Sequence, residues 1–266
     1  MNDTDRNLVE AGYDAVYSAM PASPTLQRIW REHACGLDFP EEFSHISFTT
    51  IAELRRIIGE LRLSAGGALV DVGCGMGGPA LWLCRETGAT LVGVDVSAVA
   101  VSQALARAAA LGLGDRAGFV VGTFASTGLP DGCADGITSE DALQYAPDKR
   151  SAFVEAARIM RRGGRFVFTA YELDPARVAG LPVIGADPVA DYRPLLEAAG
   201  FSVDVYEEVP GWPEPMTAAY SAVLAARETL AKEMGEAAIG ALAVEMSLTL
   251  DRKPYRRRVL AAATKT

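Results

Sequence analysis

The chain has 266 residues, half of them hydrophobic, and a formal net charge of −9. That length supports one large domain with a sizeable core, or one domain with a small cap. The acidic balance argues against nucleic acid as a partner, because phosphate backbones are bound by basic surfaces and the one basic cluster here, Arg252-Lys253 with Arg256-Arg257-Arg258, is short.

Residues 1–62 read as a helical cap. Leu8 to Met20 and Leu26 to His33 carry apolar residues at helical spacing, and Pro21, Ser23 and Pro24 separate the two segments. A loop from Gly36 to Ser47 follows. Thr50 then stands as an N-cap, with Glu53 as the other half of a capping box, for a helix running to about Leu61. From Ala68 the pattern alternates. Strands are predicted at 68–72, 90–95, 117–122, 134–139 and 165–170, and helices at 77–87, 98–112 and 148–161. Gly88, Gly112, Gly114 and Gly163-Gly164 sit where helices end. This alternation predicts a mostly parallel sheet with helices on both faces. Asp191 to Ala199 reads as a helix, Phe201 to Val209 as a strand, Pro213 to Leu248 as one or two helices, and Tyr255 to Ala263 as a last strand. A strand, a helical excursion and a returning strand predict an antiparallel pair at one sheet edge. The division is thus a cap, 1–62, and an α/β domain, 63–266, with a helical insertion at about 211–248.

The most informative stretch is Asp71-Val72-Gly73-Cys74-Gly75-Met76-Gly77-Gly78. An apolar strand ends in an acid, enters a glycine loop and leaves as a helix. Gly73, Gly75 and Gly77 permit positive φ and close approach of a ligand to the backbone. The helix directs its N-terminal N–H groups toward the same place. A second apolar strand ends in Asp95, twenty positions after Gly75. A carboxylate there can accept two hydrogen bonds from vicinal ribose hydroxyls. Gly73, Gly75 and Gly78 also fit the weak dinucleotide fingerprint, which keeps a nicotinamide-dependent oxidoreductase as one alternative.

Further blocks follow in order: Gly93-Val94-Asp95-Val96-Ser97, Gly122-Thr123-Phe124, Asp135 to Leu143, and Arg161-Arg162-Gly163-Gly164-Arg165. Together with the glycine loop they make residues 68–170 resemble the class I S-adenosylmethionine-dependent methyltransferases, of small-molecule type. The resemblance implies a Rossmann-like seven-stranded, mostly parallel sheet with an antiparallel edge strand. It implies S-adenosyl-L-methionine as cofactor, held by Asp71, Gly73, Cys74, Gly75, Gly77, Asp95, Val96, Thr123, Phe124, Ser139 and Tyr17. Two departures stand out. Thr123 occupies the place of an acid beside the adenine. Gln144 and Tyr145 replace a His-His pair that supplies the base in some members, and an amide cannot take a proton at neutral pH.

Methyl transfer from a sulfonium needs alignment and water exclusion, and a base only where the acceptor must lose a proton. Glu140 and Asp141, at the carboxyl end of the fourth strand, and His45, in the segment before the capped helix, are the candidates. His33 is a weaker one. Tyr13, Tyr17 and Trp30 in the cap can surround a sulfonium or pack the cap. Trp212, Met216, Tyr220, Met234 and Met246 can line an apolar acceptor pocket or form core. The expected reaction is transfer to an O, N or C atom of a small, largely apolar metabolite. A cofactor-binding enzyme that does not methylate, such as a cyclase, is the other alternative. With only two histidines and no paired cysteine motif, no metal is expected. With neither a leader pattern nor a stretch of about 18 apolar residues, a cytoplasmic chain without membrane contact is expected. A homodimer stays open.

Overall fold

A computed structural model describes residues 12–185 and 187–266. The start of the first predicted helix, Leu8 to Ala11, lies outside the described residues. Residues 12–19 are helical and form α1. The next helix, α2 (Pro24–Trp30), is capped by Ser23, whose hydroxyl accepts the Leu26 N–H at 3.2 Å. A π-helical turn, Arg31–Cys35, extends it. In α3 (Ile51–Leu61) the predicted capping box is formed: Thr50 Oγ1 accepts the Glu53 N–H at 3.2 Å, and the Glu53 carboxylate accepts the Thr50 N–H at 3.0 Å.

The alternating region follows as β1 (Ala68–Val72), α4 (Gly78–Thr87), β2 (Thr90–Asp95), α5 (Ala98–Ala110), β3 (Ala117–Val121), β4 (Ala134–Glu140), α6 (Lys149–Ile159) and β5 (Met160–Leu173). The chain ends with α7 (Arg193–Ala198), β6 (Phe201–Glu208), α8 (Pro213–Ala225), α9 (Arg227–Met234), α10 (Glu236–Arg252) and β7 (Arg256–Lys265). The seven strands form one sheet in the order β3-β2-β1-β4-β5-β7-β6. β7 runs antiparallel to both β5 and β6, so the β6–β7 pair forms one edge, with β7 one place in. The remaining pairings are parallel.

Several predicted boundaries need correction: α5 ends at Ala110 and not 112, α10 runs to Arg252 and not Leu248, and β7 spans Arg256–Lys265 and not Tyr255 to Ala263. The helix expected to reach residue 161 ends at Ile159, and β5 starts five residues earlier than the predicted 165. Met160 pairs with Ala134 and Arg165 with Gly136, and the register shift between them absorbs the Gly163-Gly164 turn. The insertion is three helices, not one or two. Ala226, at φ −90° and ψ 10°, ends α8, and Gly235, at φ 83°, separates α9 from α10.

Alternate residues along each strand face opposite layers. On β5, Phe166 and Phe168 pack with α6 and α7, while Val167 packs with the cap and insertion helices. The cap and the insertion therefore share one face. Glu233 on α9 accepts the hydroxyls of Ser23 and Thr25, at 2.5 and 2.6 Å, joining them. The strand order reverses between β1 and β4. In an open α/β sheet that reversal opens a crevice beyond the carboxyl ends of the two strands. Here β1 delivers the glycine loop and β4 delivers Glu140 and Asp141.

Candidate active site

The crevice is a cavity of about 350 Å³. On one side lies the glycine loop, pinned where Gly73 N–H donates to Val94 O at 2.8 Å. Gly73 has φ 82°, and a Cβ there would stand 2.6 Å from the Ala142 methyl. A Cβ at Gly78 would lie 2.2 Å from Phe43 O, because the cap segment rests directly on the start of α4. Asp95 sits across the loop. Its two oxygens accept the N–H groups of Gly75 and Ser97, at 2.8 and 2.9 Å. Burial raises its pKa, and those hydrogen bonds oppose the shift.

Of the residues predicted to hold a cofactor, Asp71, Gly73, Cys74, Gly75, Asp95, Val96, Thr123, Phe124 and Tyr17 line the cavity. Gly77 and Ser139 are not in its wall. Gly77 is the left-handed N-cap of α4, backed by the Phe119 ring. Ser139 is fully buried and donates to Val72 O at 2.7 Å, tying β4 to β1. Tyr17 lies over the loop, with α1 held in place by Gln103, whose Nε2 donates to Tyr17 O at 2.8 Å.

The three proton-acceptor candidates all line the cavity, yet only Glu140 keeps that character. Asp141 is gripped by Arg258: Nε donates to Oδ1 at 2.7 Å and Nη2 to Oδ2 at 3.0 Å, while the Phe48 N–H donates to Oδ2 at 3.0 Å. Arg258 is 1% exposed and also pairs with Glu53. Asp141 is therefore a buried anchor, not a free base. His45 Nδ1 accepts the Ser47 N–H at 3.1 Å, and Nε2 faces Cys35 Sγ at 3.5 Å. Burial lowers its pKa to about 3. The imidazole stays neutral with both nitrogens engaged, which removes it as a base. His33 is exposed, away from the cavity. Glu140 accepts the Thr138 hydroxyl. Burial and the adjacent Asp141 charge raise its pKa to about 7, against the opposing Thr138 hydrogen bond. Asp71 is 1% exposed, and burial and the Glu140 charge push its carboxyl well up.

The other side of the cavity is apolar. Trp30, Phe48, Tyr220, Leu242 and Met246 form it, drawn from the cap and the insertion. Trp212, Met216 and Met234 are not lining residues. Trp212 stands edge-on to Tyr171 at 5.4 Å, and the two methionines are core. Among the lining residues that sequence reasoning missed are Tyr145 as a contact, Tyr171 and Glu245. The helical spacing of Leu242, Glu245 and Met246 on α10 is the signal that could have found the last.

Residues 70–168 match the model of a methyltransferase domain family. The chain is 26% identical over 220 residues to 27-O-demethylrifamycin SV methyltransferase of Amycolatopsis mediterranei, covering 79% of each. It is 32% identical over 187 residues to methyltransferase GfsG of Streptomyces halstedii, covering 66% of each. The chain belongs to the class I S-adenosylmethionine-dependent methyltransferases. Its fold matches that of the cyclase SpnF with a TM-score of 0.74 at 21% identity, over 97% of this chain and 95% of that one.

The cofactor of the family is S-adenosylmethionine, and the residues of this methyltransferase fit it. Asp71 Oδ1 is buried without a hydrogen-bond partner among the described residues, and Asp71 lines the same cavity as Gly73 and Gly75 of the loop. The cofactor's amino group is the kind of donor such an oxygen lacks. Among the described residues no cluster of His, Cys, Asp or Glu could hold a metal ion. No helix among them is long and apolar enough to cross a membrane.

Proposed function

We propose that this methyltransferase moves the methyl group of S-adenosylmethionine to an O, N or C atom of a small, largely apolar acceptor. The observation that carries the proposal is one cavity with two unlike ends: the glycine loop and acids at one, and Trp30, Phe48, Tyr220, Leu242 and Met246 at the other. The name of one relative, for 27-O-demethylrifamycin SV, fits an acceptor of this kind.

Asp95 would receive the ribose hydroxyls and Asp71 the amino group, with Gly73, Cys74 and Gly75 against the amino-acid portion, Val96, Thr123 and Phe124 around the base, and Tyr17 as the roof. When bound, the cofactor supplies an electrophilic methyl on a good leaving group. The protein's work is to align the acceptor in line with that methyl and to exclude water. The cap and insertion do both by closing one face. Where the acceptor must lose a proton, Glu140 takes it, since a group with a pKa near 7 accepts a proton at working pH.

One observation favours a second reading, a reaction without methyl transfer. Gln144 stands where some family members carry a histidine base, and Asp141 is consumed by Arg258. The product's mass separates the two readings.

Asp95→Ala tests the cofactor placement. Charge-assisted hydrogen bonds contribute about 1.5–3 kcal/mol each. Losing even one of those to the ribose should weaken S-adenosylhomocysteine binding by roughly ten- to a hundredfold in calorimetry, while unchanged affinity would remove Asp95 from the site.

A further inference from the structure

Among the described residues, the apolar end of the cavity contains one acid. Glu245, on α10, accepts the Tyr145 hydroxyl at 2.6 Å on one oxygen and the Tyr13 hydroxyl at 3.2 Å on the other. Burial raises the pKa of this carboxyl, and the phenol donor on each oxygen opposes that shift by favouring the ionised form, which only accepts. Yet Glu245 makes no ion pair among the described residues. Among the described residues no Lys or Arg is in the cavity wall, whereas Asp71, Asp95, Glu140, Asp141, Asp148 and Glu245 are. Arg256, whose charge reaches Glu245, lies over the Tyr171 ring instead, 5.6 Å from its centroid.

Two further polar atoms in the cavity lack partners. Tyr171 is 6% exposed and its hydroxyl has no hydrogen-bond partner among the described residues. Gln144 Nε2 donates to Asp141 O, which fixes the amide and leaves Oε1 buried and unpartnered. A carboxylate, an amide oxygen and a phenol all offer lone pairs, and no donor among the described residues answers the last two. The rings add to this. Tyr13 stacks on Tyr17 at 5.8 Å and meets Tyr145 edge-on at 5.7 Å. Tyr220 sits among Tyr145, Glu245 and Tyr171, close enough for each to influence its phenol. Aromatic faces around an acid attract a cation rich in N–H donors.

We infer that the acceptor carries a protonated amine, received by Glu245 among the Tyr13, Tyr145 and Tyr220 rings, with Gln144 Oε1 and Tyr171 Oη as further acceptors. The inference rests on the methyltransferase reading and narrows its substrate class. A protonated nitrogen has no lone pair for a methyl group, so this amine is a recognition handle and the methyl goes to another atom. Anionic acceptors are excluded, because they would meet uncompensated carboxylates.

The test is calorimetry on the full chain saturated with S-adenosylhomocysteine, using three probes on one skeleton: 2-naphthylmethylamine, 2-naphthalenemethanol and 2-naphthoate. The amine should bind about tenfold or more tighter than the alcohol, and the acid should not bind, as expected for a desolvated charge pair with cation–π support. Glu245→Gln should bring the amine down to the level of the alcohol and leave S-adenosylhomocysteine affinity unchanged. Should that variant not fold, Gln144→Met removes the amide acceptor and should weaken the amine several-fold. The inference is overturned if none of the probes binds, if the acid binds as well as the amine, or if the amine ignores both substitutions. It is also overturned if Glu245→Gln weakens S-adenosylmethionine alone, which would assign the carboxylate to the sulfonium. Failure of S-adenosylhomocysteine to bind the unaltered chain is a separate result against the methyltransferase reading.

Discussion

Glu140 and Asp71 bring two carboxyl groups into the same dry crevice, and burial makes their shared charge costly. Glu140 is raised to about 7, so the folded protein holds its proton more tightly than the unfolded chain does. The stability this contributes is complete in acid, below the ordinary carboxyl range, and is lost as pH rises through about 7. Thermal melts should therefore show the midpoint falling between weakly acidic and weakly alkaline pH, with a shallower fall for Glu140→Gln. A cationic cofactor reverses the preference. S-adenosylmethionine should bind more tightly as pH rises across the same window, with proton release visible in calorimetry as a dependence on buffer, and Glu140→Gln should remove most of that dependence. A flat affinity profile would mean the pair does not face the cofactor. These acids were legible in the sequence, because Asp71 stands at the end of the strand that runs into the glycine loop and Glu140 at the carboxyl end of the fourth strand. Their protonation was not, since it depends on burial and on a neighbour from another strand.

The run Arg256-Arg257-Arg258 reads in the sequence as a basic cluster. On β7 the period of two divides it: Arg257 reaches surface-exposed Glu208, while Arg258 turns inward to Asp141 and Glu53. That inward arginine joins β7, the end of β4 and the capping box of α3. Through the Phe48 N–H on Asp141 it also fixes the cap segment over the cavity. Thr50 and Glu53 were legible as a cap, because the signal is local. Their tie to Arg258 spans 205 positions and carries no local signature. Breaking a buried pair by removing one partner strands the other charge and costs about 3–5 kcal/mol. Arg258→Met and Asp141→Asn should each lower stability by that order in urea denaturation. The double variant should lose much less than the sum, and single losses below about 1 kcal/mol would show that the network is not the anchor.

At the scale of the molecule, the parallel core was readable because strand and helix periods alternate cleanly from Ala68 to the end of β5. The acceptor end was not. It is assembled from α1, the segment around Phe48, Tyr171 and α10, which meet only after the sheet orders them. Single residues such as Glu245 look like ordinary solvent-facing acids until α10 packs against the cap. The same assembly explains how one fold serves different reactions: the glycine loop commits the chain to its methyl donor, and the cap and insertion decide what is placed opposite it. The most direct test is mass spectrometry of the product formed when the chain is incubated with S-adenosylmethionine bearing a deuterated methyl group and a panel of apolar amino-bearing alcohols. The account predicts a product heavier than its acceptor by one labelled methyl group in exchange for hydrogen, with S-adenosylhomocysteine formed in equal amount. A product of unchanged mass, formed without consumption of the donor, would contradict it.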